Sequence, residues 1–163
     1  MKKNNLIIVS LLLLILVNAC SGYKPIFSTS NFNFIISDYS ITGNQVLGNK
    51  IYYKLRNISE SNKKNDDAQT LKVSLNVAKK QEPTIKDSAG KIIEYRITLR
   101  TNVSINNYLT NEEILNDNFT IYSNYKIQDQ HTETKKLENK TLENLIDKTY
   151  QDILFKISEK FKK

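Results

Sequence analysis

Few side chains in this sequence could act as nucleophile, base or metal ligand, and they lie far apart. Cys20 is the only thiol and His131 the only imidazole. A zinc site needs three or four ligands, which one thiol and one imidazole do not supply, and a thiol nucleophile needs a free cysteine, which lipidation of Cys20, argued below, would remove. His131 stands in the polar stretch IQDQHTETK, where a lone histidine reads as a solvated side chain. The adjacent carboxylates Asp66–Asp67 and Glu112–Glu113 fall between periodic segments, and solvated charge accounts for them. Gly43 and Gly48 in GNQVLGNK lack the spacing of a phosphate-cradling loop, and no Lys-Ser or Lys-Thr pair follows. The expectation is a protein that is not an enzyme, with no metal, no cofactor and no nucleic acid partner. Two other chemistries remain, attachment at Cys20 and anion pairing by cations that share a sheet face.

The residues before Cys20 decide what the thiol is for. Met1-Lys2-Lys3-Asn4-Asn5 is a basic start, and residues 6–17 are apolar except for Ser10. That run is too short to span a bilayer, which takes roughly 20 apolar residues. A basic start, an apolar core of this length and a small residue before the cut describe a secretory signal. Val17-Asn18-Ala19-Cys20 resembles the lipobox of bacterial lipoproteins, in which the cysteine is diacylglycerated, the signal is cut before it and the new amine is acylated. Ser21, in place of an aspartate, resembles the sorting signal for the outer membrane. The alternative is an ordinary signal or an uncleaved anchor with an incidental cysteine. Two or more acyl chains hold a protein stably where one does not. The reading therefore divides the chain into a signal at 1–19, a lipidated tether at 20–31 and a domain at 32–163, anchored through Cys20 and facing the periplasm. Removing residues 1–19 leaves 144 of the 163 residues, a length suited to one domain, and loss of Lys2 and Lys3 lowers the net charge from +7 to +5.

Hydrophobic periodicity supplies the elements. FNFIISDYSI, short, aromatic and β-branched, predicts a strand. Thr42 and Gln45 have capping-box spacing, and Val46, Leu47, Ile51, Leu55 and Ile58 recur at threes and fours, predicting a helix that ends near Ser59. ESNKKNDDAQ is a loop. In TLKVSLNVA, Leu71, Val73, Leu75 and Val77 alternate with polar residues, the period of a strand with one face buried. KKQEPTIKDSAGK, with Pro83 and Gly90, reads as a long hairpin connection. Glu94 to Asn106 alternates almost without a break, and Ile114 to Ile127 repeats the pattern less cleanly. A closing amphipathic helix carries Leu142, Leu145, Ile146, Tyr150, Ile153, Leu154, Ile157 and Phe161, and starts between Thr132 and Thr141. The order β-α-β-β-β-α, with two apolar helix stripes and one apolar sheet face, gives an α+β two-layer sandwich: two helices on one face of a four-stranded sheet.

The other sheet face then has no internal cover. It would present Lys72, Ser74, Asn76, Arg96, Thr98, Arg100, Tyr122, Asn124 and Lys126. A solvated face is one reading. The other is a docking surface whose amides, hydroxyls and cations meet a polar protein wall or a phosphorylated glycolipid. Lys72, Arg96, Arg100 and Lys126 are its candidate contacts, and the arginines, which pair with phosphate in bidentate fashion, are the ones to test.

ACSGYKPIF, the helix after the first strand, GKIIEYRITLRTNVSI and NLIDKTYQDILFKI together resemble the LPS-assembly lipoprotein family, LptE. The matching positions are Cys20, Gly22, Tyr23, Pro25, Ile26, Phe27, Glu94 and Tyr95; Ser21 departs, since glycine usually follows the cysteine directly. The resemblance implies a plug and assembly factor inside an LptD-like outer-membrane β-barrel, in contact with lipopolysaccharide on its way to the outer leaflet. Ser88-Ala89 occupies the turn where a basic lipopolysaccharide contact would be sought, so no such residue is carried over. An auxiliary lipoprotein of another envelope complex, a lipid transporter or the barrel-assembly machine, is the alternative.

Overall fold

The computed structural model describes residues 33–61 and 68–161. The signal, Cys20, the tether and the Asp66–Asp67 pair lie outside the described residues. The elements are β1 (Phe34–Gly43), α1 (Gln45–Ser61), β2 (Gln69–Lys86), β3 (Ile92–Asn107), β4 (Glu113–Lys126) and α2 (His131–Phe161). They form one sheet in the order β1-β2-β3-β4, with β1 parallel to β2 and the other pairs antiparallel. Both helices pack on one face, so the architecture is the α+β two-layer sandwich expected from the periodicity.

Alternation explains which face is covered. Leu71, Val73, Leu75 and Val77 of β2 and Ile97, Leu99, Val103 and Ile105 of β3 are buried together with Leu115, Ile121 and Tyr125 of β4. From the helices, Leu47, Ile51, Leu55 and Ile58 of α1 and Leu145, Ile146, Ile153, Leu154 and Ile157 of α2 meet them in one core. Each fully buried Leu or Ile contributes about 1.5–3 kcal/mol relative to exposure. Thr101 lies in the same inward row, and its hydroxyl, fully buried, has no hydrogen-bond partner among the described residues.

β1 reaches the same core by a parity switch. Its register with β2 runs Ile36↔Leu71 and then Asp38↔Lys72, so Ser37 is an extra residue. Such a bulge re-aims the side chains that follow it. Phe34 and Ile36 face the core before it and Ile41 after it, while Asp38, Ser40 and Thr42 turn to the open face. Ser59, buried on α1, accepts the Ile36 amide at 2.7 Å through its hydroxyl.

The α1 start differs from the expected capping box. Thr42 and Gly43 belong to β1, and the cap is Asn44, whose Oδ1 accepts from the Leu47 amide at 3.1 Å. Gly43, with φ 72°, makes the corner; a Cβ there would stand 2.3 Å from the Val77 carbonyl oxygen. The expected connection at 79–91 is also mostly strand. β2 continues to Lys86 through an irregularity at Pro83 and Ile85, and the turn itself spans Asp87 to Lys91. α2 starts at His131, earlier than its apolar stripe, and its polar first turns are held to β2 by Lys79 to Glu138 at 2.8 Å. The two helices are joined across their surfaces by Lys50–Glu143 and by Lys54–Asp147 at 2.7 Å.

Candidate functional site

The open face is a set of cross-strand rows fixed by the register. From the end where β1 begins, they read Asp38, Lys72, Asn106, Glu113; then Ser40, Ser74, Ser104, Asn116; then Thr42, Asn76, Asn102, Asn118. Toward the β2–β3 hairpin they continue as Ala78, Arg100, Thr120; Lys80, Thr98, Tyr122; Glu82, Arg96, Asn124; Ile85, Glu94, Lys126; and Lys86, Ile92. Large aliphatic side chains enter only in the two rows at the hairpin end, as Ile85 and Ile92. An uncharged hydroxyl and amide field therefore lies between one charged row, Asp38 to Glu113, and a charged field toward the hairpin.

The uncharged field is shallow. Ser40, Ser74, Asn76, Asn102, Ser104 and Asn116 line a depression of about 260 Å³, and Ser40 donates to Ser74 at 2.9 Å. Ser104 donates to Asn106 and Asn116 to Glu113, both at 3.1 Å, and each amide or hydroxyl has more donor and acceptor positions than these contacts use.

The charged field holds three of the four candidate cations. Arg96 donates from Nε to Asn124 Oδ1 at 3.0 Å and lies over the Tyr122 ring. Asn124 in turn donates to Glu94, which also accepts from Thr84, both at 2.8 Å. Glu82 pairs with Lys80 at 2.6 Å; that contact holds its carboxyl below the usual carboxylate range, and Arg96 and Arg100 push the same way. Arg100 and Lys126 are exposed and make no hydrogen bond or ion pair to another described side chain. Lys72 stands apart, roughly 20 Å along β2 from the Arg100 row. It is occupied by Asp38 at 3.0 Å, whose carboxyl it holds below the usual range.

So Arg96, Arg100 and Lys126 share one half of the face, and Lys72 does not join them. Asn102 and Ser104 follow the alternation of β3, and the face also includes residues that sequence periodicity left out: Lys80, Glu82, Asn116, Asn118 and the β1 residues Asp38, Ser40 and Thr42. Strand parity could have found the β4 asparagines. The β1 set depends on the bulge, which no local signal marks. Among the described residues no cluster of His, Cys, Asp and Glu could hold a metal ion, and no helix is long and apolar enough to cross a membrane.

No protein-family model and no curated protein sequence matches this chain. Solved structures do. The rare lipoprotein B of Shewanella oneidensis aligns over 75% of this chain and 94% of its own, with a TM-score of 0.52 and 12% identity. An uncharacterized lipoprotein B from Nitrosomonas europaea aligns over 82% and 88%, with a TM-score of 0.55 and 14% identity. The fold of this chain is thus one that bacterial lipoproteins adopt.

Proposed function

We propose that this chain is an outer-membrane lipoprotein of the LptE kind, anchored through Cys20 and facing the periplasm, that acts as plug and assembly factor of an LptD-like β-barrel. It helps deliver lipopolysaccharide to the outer leaflet. The observation that carries this reading is the open sheet face: polar in every row from Asp38 to the Arg96 row, with an amide-hydroxyl field across four strands and a cationic field across β2, β3 and β4. Lumen-facing residues of an outer-membrane barrel are polar, because lipid-facing and lumen-facing positions alternate along its strands. A protein seated in a lumen needs a polar exterior on the side that meets the wall, and short hydrogen-bonding side chains provide one without burying unpaired charge. Arg96, Arg100 and Lys126 are the cations available to a phosphorylated glycolipid, with Lys72 reached only by displacing Asp38. The lipobox at Cys20 and the fold shared with bacterial lipoproteins support the same reading.

The test is a gentle detergent extraction of tagged protein from its own outer membrane, with mass spectrometry of what stays bound and of the Cys20 peptide. A stoichiometric large β-barrel together with an acylated Cys20 is the expected result. An acylated Cys20 with transporter or barrel-assembly subunits, or with no companion, would refute the plug function and leave the anchor.

A further inference from the structure

The end of the domain at which the chain enters the sheet carries its most exposed apolar side chain among the described residues. Gln69 donates to the Asn33 carbonyl at 3.0 Å, and Tyr108 donates to the Thr70 carbonyl at 2.8 Å. Asn33, the start of β2 and the β3–β4 turn are therefore neighbours across the sheet, about 10 Å from first to last at the usual strand spacing. In that turn Tyr108 is 50% exposed and Leu109 80%.

The turn is built to hold them out. Asn107 Oδ1 accepts from the amides of Leu109 at 2.9 Å and Thr110 at 3.0 Å. Asn111, at φ 59°, turns the chain back; its amide donates to the Asn107 carbonyl at 2.9 Å, and the Asn107 amide donates to the Glu112 carbonyl at 2.8 Å. Two largely apolar side chains are thus presented to water on a fixed frame, which costs free energy unless something covers them.

We infer that this turn is a second membrane contact, with Tyr108 and Leu109 entering the boundary between head groups and acyl chains of the leaflet that carries the anchor. The inference rests on the Cys20 anchor of the preceding section. Residues 20 to 33 span at most about 45 Å, so the entry end of the sheet cannot stand farther than that from the lipid. Leucine gains by leaving water, and tyrosine, with an apolar body and a polar tip, suits the boundary itself. A tether turns the contact into an intramolecular event at an effective concentration of millimolar order, so two side chains suffice. Glu112, Glu113 and Lys160 flank the turn with opposed charges. The occupant is accordingly a lipid surface met by apolar insertion, with no need of anionic lipid, and the contact persists at high salt.

The chain has no tryptophan, which makes the test direct. Leu109→Trp places a sole reporter in the turn, and Ala89→Trp places one at the opposite hairpin tip. Each full-length protein is purified from its own membranes and reconstituted without any barrel into phosphatidylcholine vesicles, with and without bromine on the acyl chains. The Cys20 peptide is weighed from the same sample. The expected result is emission from Leu109→Trp that shifts to shorter wavelength and is quenched by brominated lipid at low and high salt, with Ala89→Trp unquenched. Water-like, unquenched emission from Leu109→Trp with an acylated Cys20 overturns this inference and leaves the plug reading standing. The same emission with an unacylated Cys20 overturns it together with the anchor.

Discussion

The guanidinium carbon of Arg96 lies 4.6 Å from the centroid of the Tyr122 ring, two residues of neighbouring strands that sit diagonally across the open face. The ring takes one side of the cation, and Asn124 takes its Nε. A cation that is stacked and hydrogen-bonded within its own sheet is positioned more than it is available. Arg100, two rows nearer the middle, has no such partners among the described residues. The two arginines are therefore not equivalent, although periodicity places them on the same face.

Charge reversal separates their roles. Arg100→Glu should weaken recovery of the barrel and outer-membrane integrity more than Arg96→Glu, and the double variant should weaken them most. Co-purification yield and detergent sensitivity of cells read this out. Unchanged yield and integrity in the double variant would remove the arginines from the docking assignment.

Thr101 offers the reverse case, a polar group where none is needed. Its hydroxyl is buried without a partner among the described residues, so an apolar residue of the same shape should be favoured. Thr101→Val is expected to raise stability by about 1 kcal/mol. Urea denaturation of the two proteins, compared at equal slope, checks the sign; a loss of stability would mean that the hydroxyl has a partner.

Gly43 is the position where backbone geometry leaves no freedom. With φ at 72° and the Val77 carbonyl oxygen 2.3 Å from where a Cβ would stand, Gly43→Ala should cost about 1–3 kcal/mol. Gly90, also at positive φ but with nothing near its Cβ site, should tolerate alanine better. Thermal unfolding of the pair gives the comparison, and equal losses would show that steric approach adds nothing at Gly43.

Acid should loosen the first turns of α2 before the core. Lys79, and then Lys135, hydrogen-bond to Glu138 and hold its carboxyl below the ordinary value of 4.5. A carboxyl lowered in the folded state contributes stability that is fully present above the unfolded value, and that is lost as pH falls through the folded one. Glu138 is only 12% exposed, so Glu138→Gln should cost on the order of 1 kcal/mol at neutral pH. The gap to the parent protein should close as pH falls below 4.5 and on through the lowered value of the folded state. A pH-independent difference would assign the loss to packing.

The sequence made the fold readable wherever one face of an element is covered. Leu71 to Val77 and Tyr95 to Ile105 alternate because the helices lie on one side of them, and α1 shows its stripe for the same reason. The signal fades where neither face is covered. Gln81 to Lys86 pairs with β3 beyond most of the helical layer, so nothing in KKQEPTIK had to alternate, and Pro83 suggested a connection. The polar first turns of α2 carry no stripe and are held by Lys79, a contact between residues far apart in sequence. The open face was legible in its cations, since Arg96, Arg100 and Lys126 follow from strand parity. The engagement of Lys72 was not, because it needs a parallel register shifted by one residue at Ser37.

The parallel pairing of β1 with β2 also sets an order of events. β3 and β4 close on each other and on β2 through short turns, whereas Phe34 meets Gln69 only after α1 and its following segment have been spanned. Closing the longer loop costs more chain entropy, so the three-stranded meander can assemble early and β1 arrive last. A protein secreted amino end first would then have its first-exported strand waiting for its partner, with Phe34 and the apolar stripe of α1 uncovered until β2 follows. On that reading the interval before the last pairing is when the most apolar surface would be uncovered, and native-state hydrogen exchange should find the β1 amides opening at lower free energy than those of β2 and β3.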